Sequence, residues 1–346
     1  MKKTRVLIVD DSLLIRQMFT KILSDDPEIE VLGTAEDPFD ARDKIKALNP
    51  DVITLDIEMP KMDGITFLKK IMSLHPLPVV MVSSLTQRGA DATIQALEIG
   101  AVDYVSKITS TDFDVDNLKD ELIKKVKNAA KVKVKHIREE ITQKNIIKPD
   151  SKPIKFKKNI VVAIGASTGG VESLREVLIN LPANFPPIVI TQHMPPHFTK
   201  SFAERLSKIC HISVKEAESG DVLEAGRAYI APGGFHLEVI KRGNDMACLV
   251  RDGENVTGHK PSVDVLFESV AKNIGNKAIG VILTGMGRDG AKGMHSMKQA
   301  GCYNIGQDEA SSIVYGMPKA AFMSGAVDEQ ISLSKIAEEL IKICSD

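Results

Sequence analysis

At 346 residues the chain is too long for one ordinary hydrophobic core, and its length favours two domains. A net charge of −1, with 43% apolar and 26% charged residues, is that of an ordinary soluble globular protein and carries no global signal for nucleic acid. Four scattered cysteines without a C-x-x-C pair speak against a zinc cluster or a disulfide framework. Residues 1–5 run directly into apolar Val6-Leu7-Ile8-Val9, too short for a leader or a membrane span, so a cytoplasmic protein is expected.

Strand and helix patterns alternate from the start. Strands are expected at 5–9, 30–35, 51–55, 78–82 and 101–105, with amphipathic helices at 12–23, 38–48, 65–74, 90–99 and 117–127. Five β-α units in succession imply a doubly wound parallel sheet, in which chemistry gathers at the carboxyl ends of the strands. Asp10 and Asp11 close the first strand, Asp56 the third, Ser83 the fourth and Lys107 the fifth. Three carboxylates near one point repel, and Mg²⁺ is the natural compensation; an ammonium opposite them completes a phosphoryl site.

The runs V-L-I-V-D-D-S, T-L-D-I-E-M-P-K-M-D-G, V-V-M-V-S-S and G-A-V-D-Y-V-S-K resemble the receiver domain of two-component response regulators, over residues 1–125. The resemblance implies a flavodoxin-like (βα)5 fold in which Asp56 takes a phosphoryl group from a phosphohistidine of a partner kinase. It further implies that Asp10, Asp11, Asp56 and the Glu58 carbonyl hold Mg²⁺. Ser83 and Lys107 would meet the phosphoryl oxygens, and Tyr104 stands at the family's switching aromatic position. Ile108 stands where receivers commonly have proline after the lysine.

Between Lys124 and Lys158 there are thirteen Lys or Arg against three acidic residues, with prolines at 149 and 153. Residues 126–158 read as a basic, flexible linker between separable domains.

The second half, 159–346, is again α/β. Apolar Ile160–Ile164 leads into Gly165-Ala166-Ser167-Thr168-Gly169, which fits the G-x-S-x-G pattern of a nucleophile held in a strand-to-helix turn. The same residues also suit a glycine-rich turn whose serine only caps the helix. A second apolar strand at 187–191 ends at His193, and a third at 278–284 leads into Gly285-Met286-Gly287-Arg288-Asp289-Gly290. If the three strands are parallel neighbours, Ser167, His193 and Asp289 meet at one sheet edge as nucleophile, general base and orienting carboxylate. The backbone N–H groups of Thr168 and Met286 are candidates for stabilising an oxyanion. His197, His236, His259 and His295 compete with His193, which alone ends a buried strand. The last turn also matches G-x-G-x-x-G, but Asp289 projecting from it would repel a dinucleotide's pyrophosphate.

Five segments (165–170, 192–195, 229–233, 261–264 and 283–290) together resemble the catalytic domain of chemotaxis protein-glutamate methylesterases. That resemblance implies a doubly wound parallel-sheet hydrolase domain with Ser167, His193 and Asp289 as its triad. It would hydrolyse glutamate γ-methyl esters on methyl-accepting chemoreceptors, release methanol, and deamidate receptor glutamines without a cofactor. The implied phosphodonor is a chemotaxis histidine kinase. The implied site of work is peripheral to membrane receptors, with no membrane insertion and no nucleic acid. The unphosphorylated receiver is expected to restrain the esterase, with 90–105 the candidate contact region. A phosphorylation-gated docking module without catalysis is the alternative, and the three groups at strand ends argue against it.

Overall fold

The computed structural model describes residues 2–107, 115–132 and 154–346. The chain divides into two compact units, Met1–Thr142 and Gln143–Asp346. Ile108 and most of the expected linker lie outside the described residues.

The first unit runs β1 (Thr4–Val9), α1 (Leu13–Ser24), β2 (Ile29–Ala35), α2 (Pro38–Leu48), β3 (Val52–Asp56), α3 (Gly64–Leu74), β4 (Val79–Ser83), α4 (Gln87–Ile99), β5 (Asp103–Ser106) and α5 (Val115–Ala129). All strand pairs are parallel, in the order β2-β1-β3-β4-β5. This is the flavodoxin-like order, whose direction reverses between β1 and β3. Asp10 and Asp56 end those two strands, so topology brings the acids together. Val6, Ile8, Val52, Val80 and Val82 are buried with Phe19 and Leu23 of α1 and Leu122 and Val126 of α5. Short polar caps start the helices: Ser12 accepts from Ile15 N, and Asp37 from Phe39 N and Asp40 N.

The second unit continues with β6 (Val161–Ala166), α6 (Gly170–Ile179), β7 (Ile188–Gln192), α7 (Phe198–Ile209), β8 (Ser213–Glu216), β9 (Arg227–Ile230), β10 (His236–Arg242) and β11 (Asp245–Arg251). It ends with α8 (Val263–Asn273), β12 (Ala278–Ile282), α9 (Ala291–Gln299), β13 (Tyr303–Gln307), α10 (Met317–Met323), β14 (Glu329–Ile331) and α11 (Leu333–Cys344). Seven strands form a parallel sheet in the order β14-β13-β12-β6-β7-β9-β8, and β10 and β11 form an antiparallel hairpin. β6 is the pivot: the chain grows from it to one side through β7 and later to the other through β12. Every residue of β6, β7 and β12 is buried, as a strand covered on both faces requires. The hairpin and α8, unlike the sheet's central strands, were not separately resolved in the sequence pattern.

Candidate functional site

The three central strands of the second unit carry the expected triad on neighbouring rails. Ile282 pairs with Gly165 and Ala166 with Gln192. Ladder bonding continues past the strands, with Ser167 N donating to Thr284 O at 3.0 Å and His193 N to Ala166 O at 3.2 Å. Ser167 is half-buried in the β6–α6 turn. It does not cap the helix: the N-cap is Gly169, at φ 76°, with no side-chain capping bond. Gln192 Nε2 donates to the Ser167 carbonyl at 3.0 Å and the His193 carbonyl at 3.3 Å, tying the two strand ends together.

Asp289 reaches His193 from the other side of β6, with Oδ2 2.8 Å from Nε2. Its carboxylate is wholly buried. Beyond His193 it accepts from Ser262 Oγ (2.8 Å), Val263 N (2.7 Å) and Asp264 N (3.0 Å). Burial pushes the Asp289 carboxyl up, but the hydrogen bond and charge of His193 and the backbone amides outweigh it and hold the group below its ordinary range. In the neutral imidazole an ionised acceptor on Nε2 requires the hydrogen there and leaves Nδ1 as the lone-pair nitrogen. Nδ1 is buried and has no hydrogen-bond partner. The Ser167 hydroxyl therefore does not bond His193 in this conformation, and the nitrogen available to it is Nδ1.

The surrounding shell comes from residues whose parts in it the sequence did not reveal. Asp264, pushed up by burial and by the charge of Asp289, accepts from Gly290 N (2.9 Å), Gly293 N (2.8 Å) and Thr257 Oγ1 (2.7 Å). Its carboxylate thus occupies the start of α9, where the dinucleotide reading of the glycine turn would place a phosphate. His236 is buried; its Nδ1 accepts from Ser262 N at 3.2 Å, so Nε2 donates to Glu254 O at 2.9 Å. His259 stacks on His193, with ring centroids 3.8 Å apart and planes 12° from parallel.

Thr168 and Met286 flank Ser167. Thr168 is buried, and its carbonyl accepts from Thr284 Oγ1 at 3.0 Å. Met286 follows Gly285, which abuts the serine: a Cβ there would lie 2.8 Å from Ser167 Cβ and 2.3 Å from Met317 Sδ. Glycine is required because the backbone of this turn approaches so closely.

In the first unit, ligand oxygens of Asp10, Asp11 and Asp56 lie within 4.8 Å of one another. Lys107 Nζ is 2.8 Å from Asp56 Oδ2 and 3.3 Å from Asp10 Oδ2. Burial, with Asp10 adding to it against the pull of Lys107, raises the Asp56 carboxyl to about 6; Asp10 is raised too, chiefly by burial. The Oδ2 atoms of Asp10 and Asp56 are buried, and off hydrogen-bond geometry to Lys107. Such under-satisfied hard oxygens fit a divalent cation. Glu58 is exposed and lines the hollow beside Asp56, together with Ser83, Ser84 and Gly89. Ser83 Oγ donates to Gly89 O at 3.1 Å. Tyr104 is buried, with Lys125 Nζ 4.7 Å from its ring centre, and burial raises its hydroxyl. Among the described residues no helix is long and apolar enough to cross a membrane.

Comparison with known proteins bears on both units. The family model for the response regulator receiver domain matches residues 6–122, and that for CheB methylesterase matches 162–340. The protein-glutamate methylesterase/protein-glutamine glutaminase 1 of Xanthomonas campestris pv. campestris is 52% identical, over 98% of this chain and 97% of its own. Its namesake from Caulobacter vibrioides is also 52% identical, over 100% and 99%. Among solved structures, the Thermotoga maritima CheB methylesterase catalytic domain is 42% identical, covering 53% of this chain and 98% of its own, with a TM-score of 0.52. Matched in both units and aligned along its whole length with such relatives, the chain belongs to the CheB methylesterase family, with a receiver domain ahead of the esterase.

Proposed function

We propose that the chain is a phosphorylation-activated chemotaxis methylesterase, in which a Ser167–His193–Asp289 triad demethylates receptor glutamates and deamidates receptor glutamines. The observation that carries the triad is the Asp289–His193 bond, which spans the Ser167 strand and leaves Nδ1 as the basic nitrogen.

A serine hydroxyl is a poor nucleophile until its proton has somewhere to go. Rotation of the Ser167 side chain toward Nδ1 supplies that. Oγ then attacks the γ-carbonyl carbon while Nδ1 takes the proton, and the imidazolium is stabilised by the buried Asp289 carboxylate. The N–H groups of Thr168 and Met286 face the negative oxygen of the tetrahedral intermediate. Its collapse breaks the bond to methoxide, which leaves as methanol with the Nδ1 proton, and the glutamyl group remains esterified to Oγ. Water then gives a proton to Nδ1 and attacks the acyl carbon, releasing glutamate and restoring Ser167. With glutamine the leaving group is ammonia, which requires firmer protonation, so deamidation is the slower reaction.

Residues 1–125 are the receiver, 126–158 the linker and 159–346 the esterase of a cytoplasmic protein that works on receptors at the membrane. A chemotaxis histidine kinase supplies the phosphoryl group and methyl-accepting chemoreceptors are the substrate. Asp10, Asp11, Asp56 and the Glu58 carbonyl would hold Mg²⁺, which offsets negative charge as phosphorylation proceeds. Asp56 attacks phosphorus as its bond to the nitrogen of the kinase's phosphohistidine breaks and the histidine leaves, Lys107 pairs with the transferred group, and Ser83 turns from Gly89 O to meet it. Tyr104 reports the change. Replacing Ser167 by alanine should abolish methanol release from a methylated receptor fragment; unchanged turnover would sink the triad.

A further inference from the structure

We propose that His259 is a positioning residue for His193: its ring is a fixed slab that holds the plane of the catalytic imidazole. The inference rests on the triad reading above. His193 has one in-plane tether, the Asp289 bond on Nε2, and Nδ1 has no partner. A single hydrogen bond does not fix the ring's rotation about that bond, and Nδ1 is useful only when it points at Ser167. The His259 ring, 3.8 Å away and 12° from parallel, covers one face and removes that freedom.

The placement of His259 is itself built. Val256 and His259 exchange both backbone hydrogen bonds, at 3.1 and 3.0 Å, closing a two-residue turn through Thr257 and Gly258. Both central residues have positive φ, 53° and 84°. A β-branched residue in that region is strained, and such strain persists where the surroundings impose it. Here Thr257 Oγ1 donates to Asp264 Oδ2 at 2.7 Å. Asp264 N in turn donates to Asp289 Oδ1 at 3.0 Å. A closed circuit results: Asp289 holds the edge of His193, and through Asp264 and Thr257 the same cluster holds the slab against its face. Farther along the loop, Lys260 Nζ donates to Asp252 Oδ1 (2.8 Å) and Gly253 O (2.9 Å).

The test is steady-state methanol release by the full chain from a methylated receptor fragment, comparing the parent with His259→Ala, His259→Phe, Thr257→Val and Ser167→Ala. If the slab acts by shape, His259→Ala lowers kcat about 10-fold or more with KM within about 2-fold, and His259→Phe, which stacks without ring nitrogens, recovers kcat to within about 3-fold of the parent. Parent-like kcat in His259→Ala overturns the proposal. So does a His259→Phe variant as slow as His259→Ala, because the ring nitrogens and not the stacking would then matter. Should His259→Ala not fold, as judged by its thermal transition, Thr257→Val decides: a lower kcat at unchanged KM supports the proposal and a parent-like kcat contradicts it. Turnover retained in Ser167→Ala removes the triad itself, an outcome distinct from failure of the slab alone.

Discussion

Asp289 holds His193 across the strand that carries Ser167: the residue after β7 and a residue of the β12–α9 turn meet at 2.8 Å, with β6 between them. The bond is supported by three further donors to the same carboxylate, so orientation of the imidazole and integrity of the α8–α9 corner depend on one buried charge.

Asp289→Asn keeps the volume but offers one acceptor oxygen and two donor hydrogens where four donors converge. We expect methanol release to fall about 10⁴-fold, since the wrong imidazole tautomer is favoured. Buried donors left unmatched should also lower stability by about 1–3 kcal/mol each. Turnover within tenfold of the parent would contradict the assigned role.

Gly285→Ala puts a methyl group 2.8 Å from Ser167 Cβ and 2.3 Å from Met317 Sδ. The serine must shift, and we expect kcat to fall about 100-fold while the thermal transition reports a loss of about 1–3 kcal/mol. An active variant would show that the turn holding Met286 does not set the position of the nucleophile.

The raised Asp56 carboxyl gives a pH-dependent cost with a definite sign. Its folded-state value, about 6, exceeds the ordinary 3.8, so the native state binds the extra proton and stability falls as pH rises through that window. The difference corresponds to about 3 kcal/mol as an upper figure. Asp56→Asn should therefore unfold at a higher temperature than the parent at pH 7.5 without Mg²⁺, and the gap should shrink toward pH 4. Mg²⁺ should stabilise the parent more at pH 7.5 than at pH 4.5, where protons compete for the same oxygens. Equal melting of parent and variant at both pH values would refute the assignment of strain to Asp56.

Asp289 has the opposite sign. Its depressed carboxyl contributes stability that is present above the ordinary 3.8 and lost as pH falls through the lower folded-state value. Acid unfolding of the isolated 154–346 region is not needed to see it: the difference in stability between the full parent chain and Asp289→Asn should narrow below pH 4, as followed by denaturant titration. A constant difference would contradict the sign.

What the sequence made legible follows from where the chemistry sits. Asp10, Asp56, Ser167 and His193 end buried apolar strands, and a strand pattern points to its own terminus. The adjacency of β6, β7 and β12 was a condition the sequence left open, because a strand pattern does not name its neighbours; the order β12-β6-β7 meets it, with the site at a reversal of strand order. The support around Asp289 was hidden for a different reason. Val263 and Asp264 act through backbone N–H groups, which every residue has and which leave no mark on composition. His259 looked like one competing histidine among several, because a two-residue turn pinned by a distant aspartate is a tertiary arrangement. Asp264 sits in a helix start, where acidic residues are ordinary. Only its meeting with the amides of Gly290 and Gly293 explains why the glycine turn takes a carboxylate from within the chain.

The most direct test of the account is methanol release from a methylated receptor fragment, measured for the parent, Ser167→Ala and Asp56→Asn with and without acetyl phosphate and Mg²⁺. A receiver-gated triad mechanism requires release by the parent that rises with the phosphodonor, none from Ser167→Ala, and release from Asp56→Asn that ignores the donor. Release that persists in Ser167→Ala, or a donor response that survives in Asp56→Asn, would contradict it.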